Sequence, residues 1–318
     1  MDRSEEELLE AIRRVLSGTG PEVRVPAGDD AAVLAPTTGE LVITTDSLVE
    51  GVHFVRGDIG ARDLGHKAIV VNVSDIAAMG ASPRSAVCAL ILSSDVDAAW
   101  VMELIGGMRE ACDEFALWLV GGDLSRGSEV VIAVAVTGEV APGRAILRSG
   151  ARPGDRIVVT GELGGSAAGL RLIRRGDRPT EQQRAMIRRH LRPTARVGEG
   201  AVLARRGATA MLDISDGLSL DLGRLARASD VGVRLQLDRV PVAPFASMED
   251  ALGGGEDYEL LAALPDDDVV QAARAELKES FGVGLAEIGV AVEGAGIVAV
   301  DAQGSERPLE PEGWDHFR

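Results

Sequence analysis

Leu41-Val42-Ile43-Thr44-Thr45-Asp46-Ser47-Leu48-Val49-Glu50-Gly51-Val52-His53-Phe54 begins as an apolar, β-branched run. Leu41 to Thr45 reads as a buried strand. Asp46 falls where that strand should end. A carboxylate there suits a core poorly but is well placed to hold a hard cation through oxygen. The hydroxyls of Thr44 and Thr45 add neutral oxygen donors, and Gly51 permits a turn before His53. A single Asp in this position more often starts a turn or caps a helix. Its weight comes from recurrence along the chain.

Working outward, Gly28-Asp29-Asp30 precedes the short apolar run 31–34. Residues 62–80 have helical spacing of Ile69, Val70, Val73, Ile76 and Ala77, with Asp75 among them. Asn72, Ser74 and Asp75 interrupt that apolar stretch, and polar groups so placed must be paired or serve a site. A buried strand is expected at 86–92, an amphipathic helix at 97–114 and a strand at 129–140. A brief strand, Leu117 to Val120, should deliver Gly121-Gly122-Asp123 into a loop running to Gly127. Met211-Leu212-Asp213-Ile214-Ser215-Asp216-Gly217-Leu218 is a weak echo of Val71 to Ile76: apolar residues, Ser-Asp, then a helix.

The remaining segments read more simply. Residues 4–17 form an amphipathic helix with Ser4 as N-cap and Glu7 completing a capping box. Strands are expected at 156–160 and 260–264, the second entered from the glycine loop 253–259, and a helix at about 166–174. The Arg-rich, Pro-punctuated segment 174–196 reads as a solvated helix and loop. Short strands and one helix fill the rest. Pro142-Gly143 and Ala151-Arg152-Pro153-Gly154-Asp155 bracket a boundary, giving domains 1–147 and 148–318.

The 318 residues suffice for two domains, and 46% hydrophobic with 26% charged residues is a globular composition. Aromatics at 3% leave the core to Ala, Val, Leu and Ile. The net charge of −17 argues against non-specific nucleic-acid or anionic-membrane binding. It would also repel a phosphate ester unless divalent cations stand between. Cys88 and Cys112 have no metal or redox spacing and read as reduced, buried thiols of a cytoplasmic protein. The acidic N-terminus lacks a signal-peptide core, and no apolar run is long enough to span a membrane.

Asp30, Asp46, Asp75, Asp123, Asp213 and Asp216 each adjoin an apolar run in a Gly-, Ser- or Thr-rich context. Oxygen-only ligands suit Mg²⁺, which commonly bridges carboxylates to substrate phosphates. Zinc is disfavoured because no His/Cys cluster exists. The P-loop and protein-kinase signatures are absent, as is a Gly-x-Ser-x-Gly elbow. Gly161 to Gly165 has the wrong spacing for a dinucleotide loop.

As a set, these residues resemble the thiamine-monophosphate kinase family. The resemblance is carried by Gly28-Asp29-Asp30-Ala31-Ala32, the stretch from Thr44 to Phe54, and Asn72 to Gly80. It continues through Val120-Gly121-Gly122-Asp123, Arg148-Ser149-Gly150-Ala151, Asp213-Ile214-Ser215-Asp216-Gly217, Gly254 to Glu259, and the ending Gly313-Trp314-Asp315-His316-Phe317. It runs in order from about residue 5 to 317. Where the family usually has Thr-Thr after Gly-Gly-Asp, this chain has Leu124-Ser125, and Phe115 replaces the usual Tyr.

The resemblance implies a two-domain α/β fold of the aminoimidazole-ribonucleotide-synthetase type. Its N-terminal domain would join a partner's strands in a dimeric barrel, and its C-terminal α/β domain would close the active site. It implies several Mg²⁺ ions held by Asp30, Thr44, Thr45, Asp46, Asp75, Asp123, Asp213 and Asp216. It assigns ATP to Gly122, Asp123, Arg148 and Ser215, and thiamine monophosphate to His53, Glu256 and Trp314. No single residue is catalytic by itself; Asp46 and Asp123 are the most critical. The implied activity is ATP-dependent, Mg-assisted phosphorylation of thiamine monophosphate to thiamine diphosphate by a homodimer, with no nucleic-acid or membrane partner. The competing readings are another ATP-dependent synthetase of the superfamily, or a non-catalytic metal- or nucleotide-binding protein.

Overall fold

A computed structural model of the chain describes residues 5–310 and Gly313. Ser4 and Trp314 lie outside the described residues. The chain divides into two compact units: Met1–Ile76 with Ala81–Gly143, and Ala77–Gly80 with Arg144–Arg318.

The first unit opens with α1 (Glu5–Val15) and a small antiparallel pair, β1 (Val23–Val25) and β2 (Val33–Leu34). Then follow β3 (Glu40–Val49), α2 (Ala61–Ala78), β4 (Ser82–Leu92), α3 (Ala98–Glu114), β5 (Trp118–Arg126) and β6 (Val131–Val140). The sheet order is β3-β6-β4-β5. Only β4 and β5 are parallel, and α3 supplies the crossover such a pair requires. Asp97 caps α3 by accepting the Trp100 N–H at 2.7 Å.

Side chains on β6 alternate strictly: Ile132, Val134 and Val136 are buried and their neighbours half-buried. Their buried face looks onto α2, since a Cβ on Gly138 would press on Ile76. α2 is buried on nearly every side, which explains the polar groups within its apolar run. α2 and α3 touch backbone to backbone: a Cβ on Gly65 would overlap the Leu104 carbonyl, and one on Gly107 the Arg62 carbonyl.

Besides β4, which begins at Ser82 rather than 86, two strands outrun expectation. β3 pairs with β6 over ten residues, from Glu40↔Val140 to Val49↔Val131, so Asp46 lies within the strand rather than at its end. Leu41 and Ile43, expected in a core, are 60% and 69% exposed on the face away from α2. β5 likewise continues through Gly121 and Gly122 to Arg126. In both cases a neighbouring strand keeps supplying hydrogen-bond partners after the apolar run has stopped.

The second unit contains β7 (Arg156–Thr160), α4 (Gly165–Arg175), α5 (Glu181–Leu191), α6 (Val197–Arg205), β8 (Ala210–Asp213) and α7 (Leu218–Ser229). β9 (Gly232–Gln236), α8 (Met248–Gly253), β10 (Leu260–Leu264), α9 (Asp267–Phe281), β11 (Leu285–Val292), β12 (Ile297–Val300) and β13 (Glu306–Leu309) complete it. The sheet order is β13-β12-β9-β11-β7-β10-β8, antiparallel except between β9 and β12.

Helices cover both faces of this sheet. Leu261 and Ala263 of β10 join one core with Leu218, Leu222 and Leu225 of α7. Leu260, Ala262 and Leu264 join the other with Val270, Ala273 and Leu277 of α9. Among the described residues no helix is long and apolar enough to cross a membrane.

Candidate active site

In the first unit, register sorts the side chains of β3. Val42, Thr44, Asp46 and Leu48 pair with Gly138, Val136, Val134 and Ile132, on the face toward α2. Thr44 Oγ1 accordingly donates to Asp75 Oδ2 of α2 at 2.6 Å. Thr45 alternates to the other face beside Ile43, and its hydroxyl donates to the Val134 carbonyl at 2.9 Å. Thr44, Asp46 and Asp75 thus share one side, and the Thr45 side chain does not join them.

Asp123 stands on β5, at the opposite edge of the sheet from β3. Its row runs through Ala89 and Ala133 to Ser47, one residue beyond the row of Asp46, Val134, Cys88 and Gly122. Three strand spacings separate the two edges, roughly 14 Å along the sheet. Asp123 accepts from Ser125 Oγ at 2.6 Å. Asp30 sits exposed in a turn where its own N–H donates to Asp29 Oδ1 at 2.8 Å. His53 accepts the Val49 N–H on Nδ1 at 3.0 Å, closing the turn through Gly51. Among the described residues no three His, Cys, Asp or Glu side chains converge closely enough to hold an ion.

In the second unit, β8 ends on Asp213, which is 4% exposed. The chain turns through Ser215 and Asp216 into α7, with Gly217 at φ 114°. Asp221, in the first turn of α7, organises this loop. Its Oδ2 accepts the N–H groups of Ser215 and Asp216 at 3.1 and 3.0 Å. Burial pushes the Asp221 carboxyl up to about 6, although the Asp216 N–H and the Arg224 charge oppose the rise. Arg224 Nη1 lies 2.6 Å from both Asp221 Oδ1 and Asp216 Oδ2. Asp216 therefore already has a cationic partner.

The Glu256 segment is stitched to the same loop. The N–H groups of Glu256 and Tyr258 donate to the carbonyls of Ser215 and Ile214 at 2.7 and 2.9 Å. A Cβ on Gly255 would come within 2.6 Å of the Ser215 carbonyl oxygen, so this close approach needs glycine. Arg148 is exposed, with its carbonyl 3.3 Å from Ser229 Oγ.

Sequence reasoning missed Asp221, Asp257, His190 and Arg196. Asp257 accepts the N–H groups of Gly164 and Ser166 at the start of α4, at 2.5 and 3.1 Å. Arg196 grips the buried Glu259 through Nε and Nη2, at 2.8 and 2.5 Å, and Thr160 Oγ1 donates to the same carboxylate at 2.6 Å. His190 and Arg196 both fall in the Arg-rich segment expected at the surface. The burial of Met186 and His190 corrects that expectation for one face of α5. The one available signal was helical spacing: Met186 and His190 stand four residues apart.

Two family descriptions match. The AIR synthase related protein N-terminal domain covers residues 28–140, and the corresponding C-terminal domain covers 152–302. A thiamine-monophosphate kinase of Escherichia coli O157:H7 is 38% identical over 314 residues, 93% of each chain. A solved structure of thiamine-monophosphate kinase from Stenotrophomonas maltophilia K279a is 34% identical. It covers 94% of this chain and 97% of its own, with a TM-score of 0.84. A second, described as AaThiL complexed with AMPPCP and TMP, is 35% identical over 98% of this chain and 97% of its own, with a TM-score of 0.78. With both AIR synthase related domains in order and over a third of the residues shared along nearly the whole length, this chain belongs to the thiamine-monophosphate kinase family.

Proposed function

We propose that this chain transfers the γ-phosphoryl group of ATP to the phosphate of thiamine monophosphate, giving ADP and thiamine diphosphate. The observation that carries the reading is 38% identity to a thiamine-monophosphate kinase over 93% of both chains. The relative described with an ATP analogue and TMP supports the pair of substrates.

The acceptor phosphate has a second pKa of about 6, so it is already largely ionised at neutral pH. Such a nucleophile needs no strong general base, and none is assigned. The obstacle is bringing two polyanions into line on a protein of net charge −17. The donor chemistry within each unit suits Mg²⁺: in the first, Thr44, Asp46 and Asp75 share one face and Asp123 is a further carboxylate on the strand at the other edge, and in the second, Asp213 and Asp216 are carboxylates, with no sulfur or imidazole among them. Bound Mg²⁺ supplies charge neutralisation and alignment of the phosphates. Asp46 and Asp123 would hold cations for the phosphates, Gly122 of the first unit and Ser215 of the second would serve the nucleotide, and Arg148 would add a fixed positive charge. Glu256, His53 and Trp314 recognise thiamine monophosphate.

The working form is a homodimer. Leu41, Ile43 and Val87 leave 60%, 69% and 44% of their surfaces exposed in a sheet whose other face is packed. β3 and β5 are sheet edges of the kind a second copy covers. The buried free thiols of Cys88 and Cys112 support a cytoplasmic location.

The test is ADP release with ATP and Mg²⁺. ADP should form only when thiamine monophosphate is added, in equal amount to thiamine diphosphate. ADP formation indifferent to thiamine monophosphate would remove this reading and favour another synthetase of the superfamily.

A further inference from the structure

His190 closes α5 within the Arg-rich segment, yet it is only 9% exposed. Its Nδ1 lies 2.9 Å from Ser166 Oγ and 3.3 Å from Glu256 Oε2. An ionised carboxylate can only accept, so the Glu256 contact requires the proton on Nδ1, with Ser166 Oγ as second acceptor of the same N–H. Ser166 is itself fixed: it stands in the first turn of α4 and its N–H donates to Asp257.

The segment carrying Glu256 cannot hold its shape unaided. Glu256 and Tyr258 have φ values of 67° and 52°, a left-handed conformation that residues with a Cβ adopt only when the surroundings impose it. Its backbone is held by Ser215 and Ile214, and Asp257 is held by α4. The Glu256 side chain is 27% exposed and has three torsions to fix, and the imidazole of His190 reaches it from α5.

We propose that His190 is a positioning residue for the acceptor substrate. It aims the Glu256 carboxylate, and α5 is thereby part of the binding apparatus rather than plain surface. This rests on the assignment of Glu256 to thiamine monophosphate.

The test compares KM for thiamine monophosphate and for ATP in four variants. His190→Met fills the ring's volume without an N–H. His190→Asn keeps a side-chain N–H where Nδ1 stands. Glu256→Gln and the double variant Glu256→Gln/His190→Met complete the set. His190→Met should raise the acceptor KM roughly tenfold, the worth of one hydrogen bond to a charged group, with the ATP KM changed less than about twofold. His190→Asn should recover most of that loss. In the Glu256→Gln background the Met substitution should add less than about twofold.

If Glu256→Gln itself leaves the acceptor KM unchanged, the substrate assignment of Glu256 falls. If Glu256→Gln raises it but His190→Met does not, His190 is a packing residue and the proposal is overturned. Equal rises in both KM values, or no recovery with Asn, overturn it too. Should His190→Met fail to fold, His190→Gln fills the ring's site with an amide that stands near Nε2 and so removes the donor at Nδ1. That variant must then raise the acceptor KM selectively, and wild-type values would again overturn the proposal.

Discussion

Asp46 stands between Thr45 and Ser47 and Asp221 between Leu220 and Leu222, and the two carboxylates face different things. Asp221 is fully buried and receives two backbone N–H groups and a guanidinium, so its charge is spent on folding the Ser215-Asp216 loop. Asp46 is exposed on a strand whose ladder is complete through its backbone. Removing the Asp46 charge should act on cations, because the backbone ladder of β3 does not depend on that charge. Asp46→Asn and Asp123→Asn should each lower kcat by on the order of a hundred- to a thousandfold. Their melting temperatures should stay within about 2 °C of wild type. Either variant turning over at the wild-type rate in ordinary Mg²⁺ would exclude that residue as an essential ligand. The sequence could mark Asp46, because a charge inside an apolar run is conspicuous. It could not mark Asp221, because an acidic residue in a first helical turn looks like ordinary helix chemistry.

At the scale of elements, legibility follows burial. β7 and β10 have the ends their apolar runs predict, because both are buried on both faces and hydropathy tracks them. β3 and β5 run further than predicted because pairing, not hydropathy, sets where they stop. α5 reads as surface because its Arg residues dominate its composition while two residues four apart make its buried face. The junction of α4 with Asp257 has a measurable signature. Burial pushes this carboxyl up to about 7 from 3.8, against the pull of the Gly164 and Ser166 N–H groups. A carboxyl with a folded pKa above its unfolded value keeps, in the folded state, a proton that the unfolded chain has released. Its contribution to stability is full below about pH 4, declines as pH rises toward 7 and is flat above. Ligand-free protein should therefore lose melting temperature between pH 5 and 7, and Asp257→Asn should flatten that slope. Identical slopes in the two proteins would mean that the carboxyl is ionised throughout.

For the whole molecule, charge and apolar surface pull in opposite directions. Each chain carries −17, so two copies repel at long range. The proposed association must then rest on apolar area, and the exposed face of the four-stranded sheet offers it at Leu41, Ile43 and Val87. Screening weakens the repulsion between chains and leaves apolar burial intact, since the Debye length falls to about 8 Å at physiological ionic strength. The dimer should therefore tighten as salt rises from about 0.02 to 0.15 M, the reverse of an interface built on ion pairs. The double variant Leu41→Asp/Ile43→Asp puts two like charges on the same face of each copy. It should sediment as a monomer with unchanged helix content, because both side chains point away from α2. A wild-type chain that sediments as an active monomer at micromolar concentration would remove the dimer. A dimer that loosens with added salt would instead place the interface on charged groups elsewhere on the molecule.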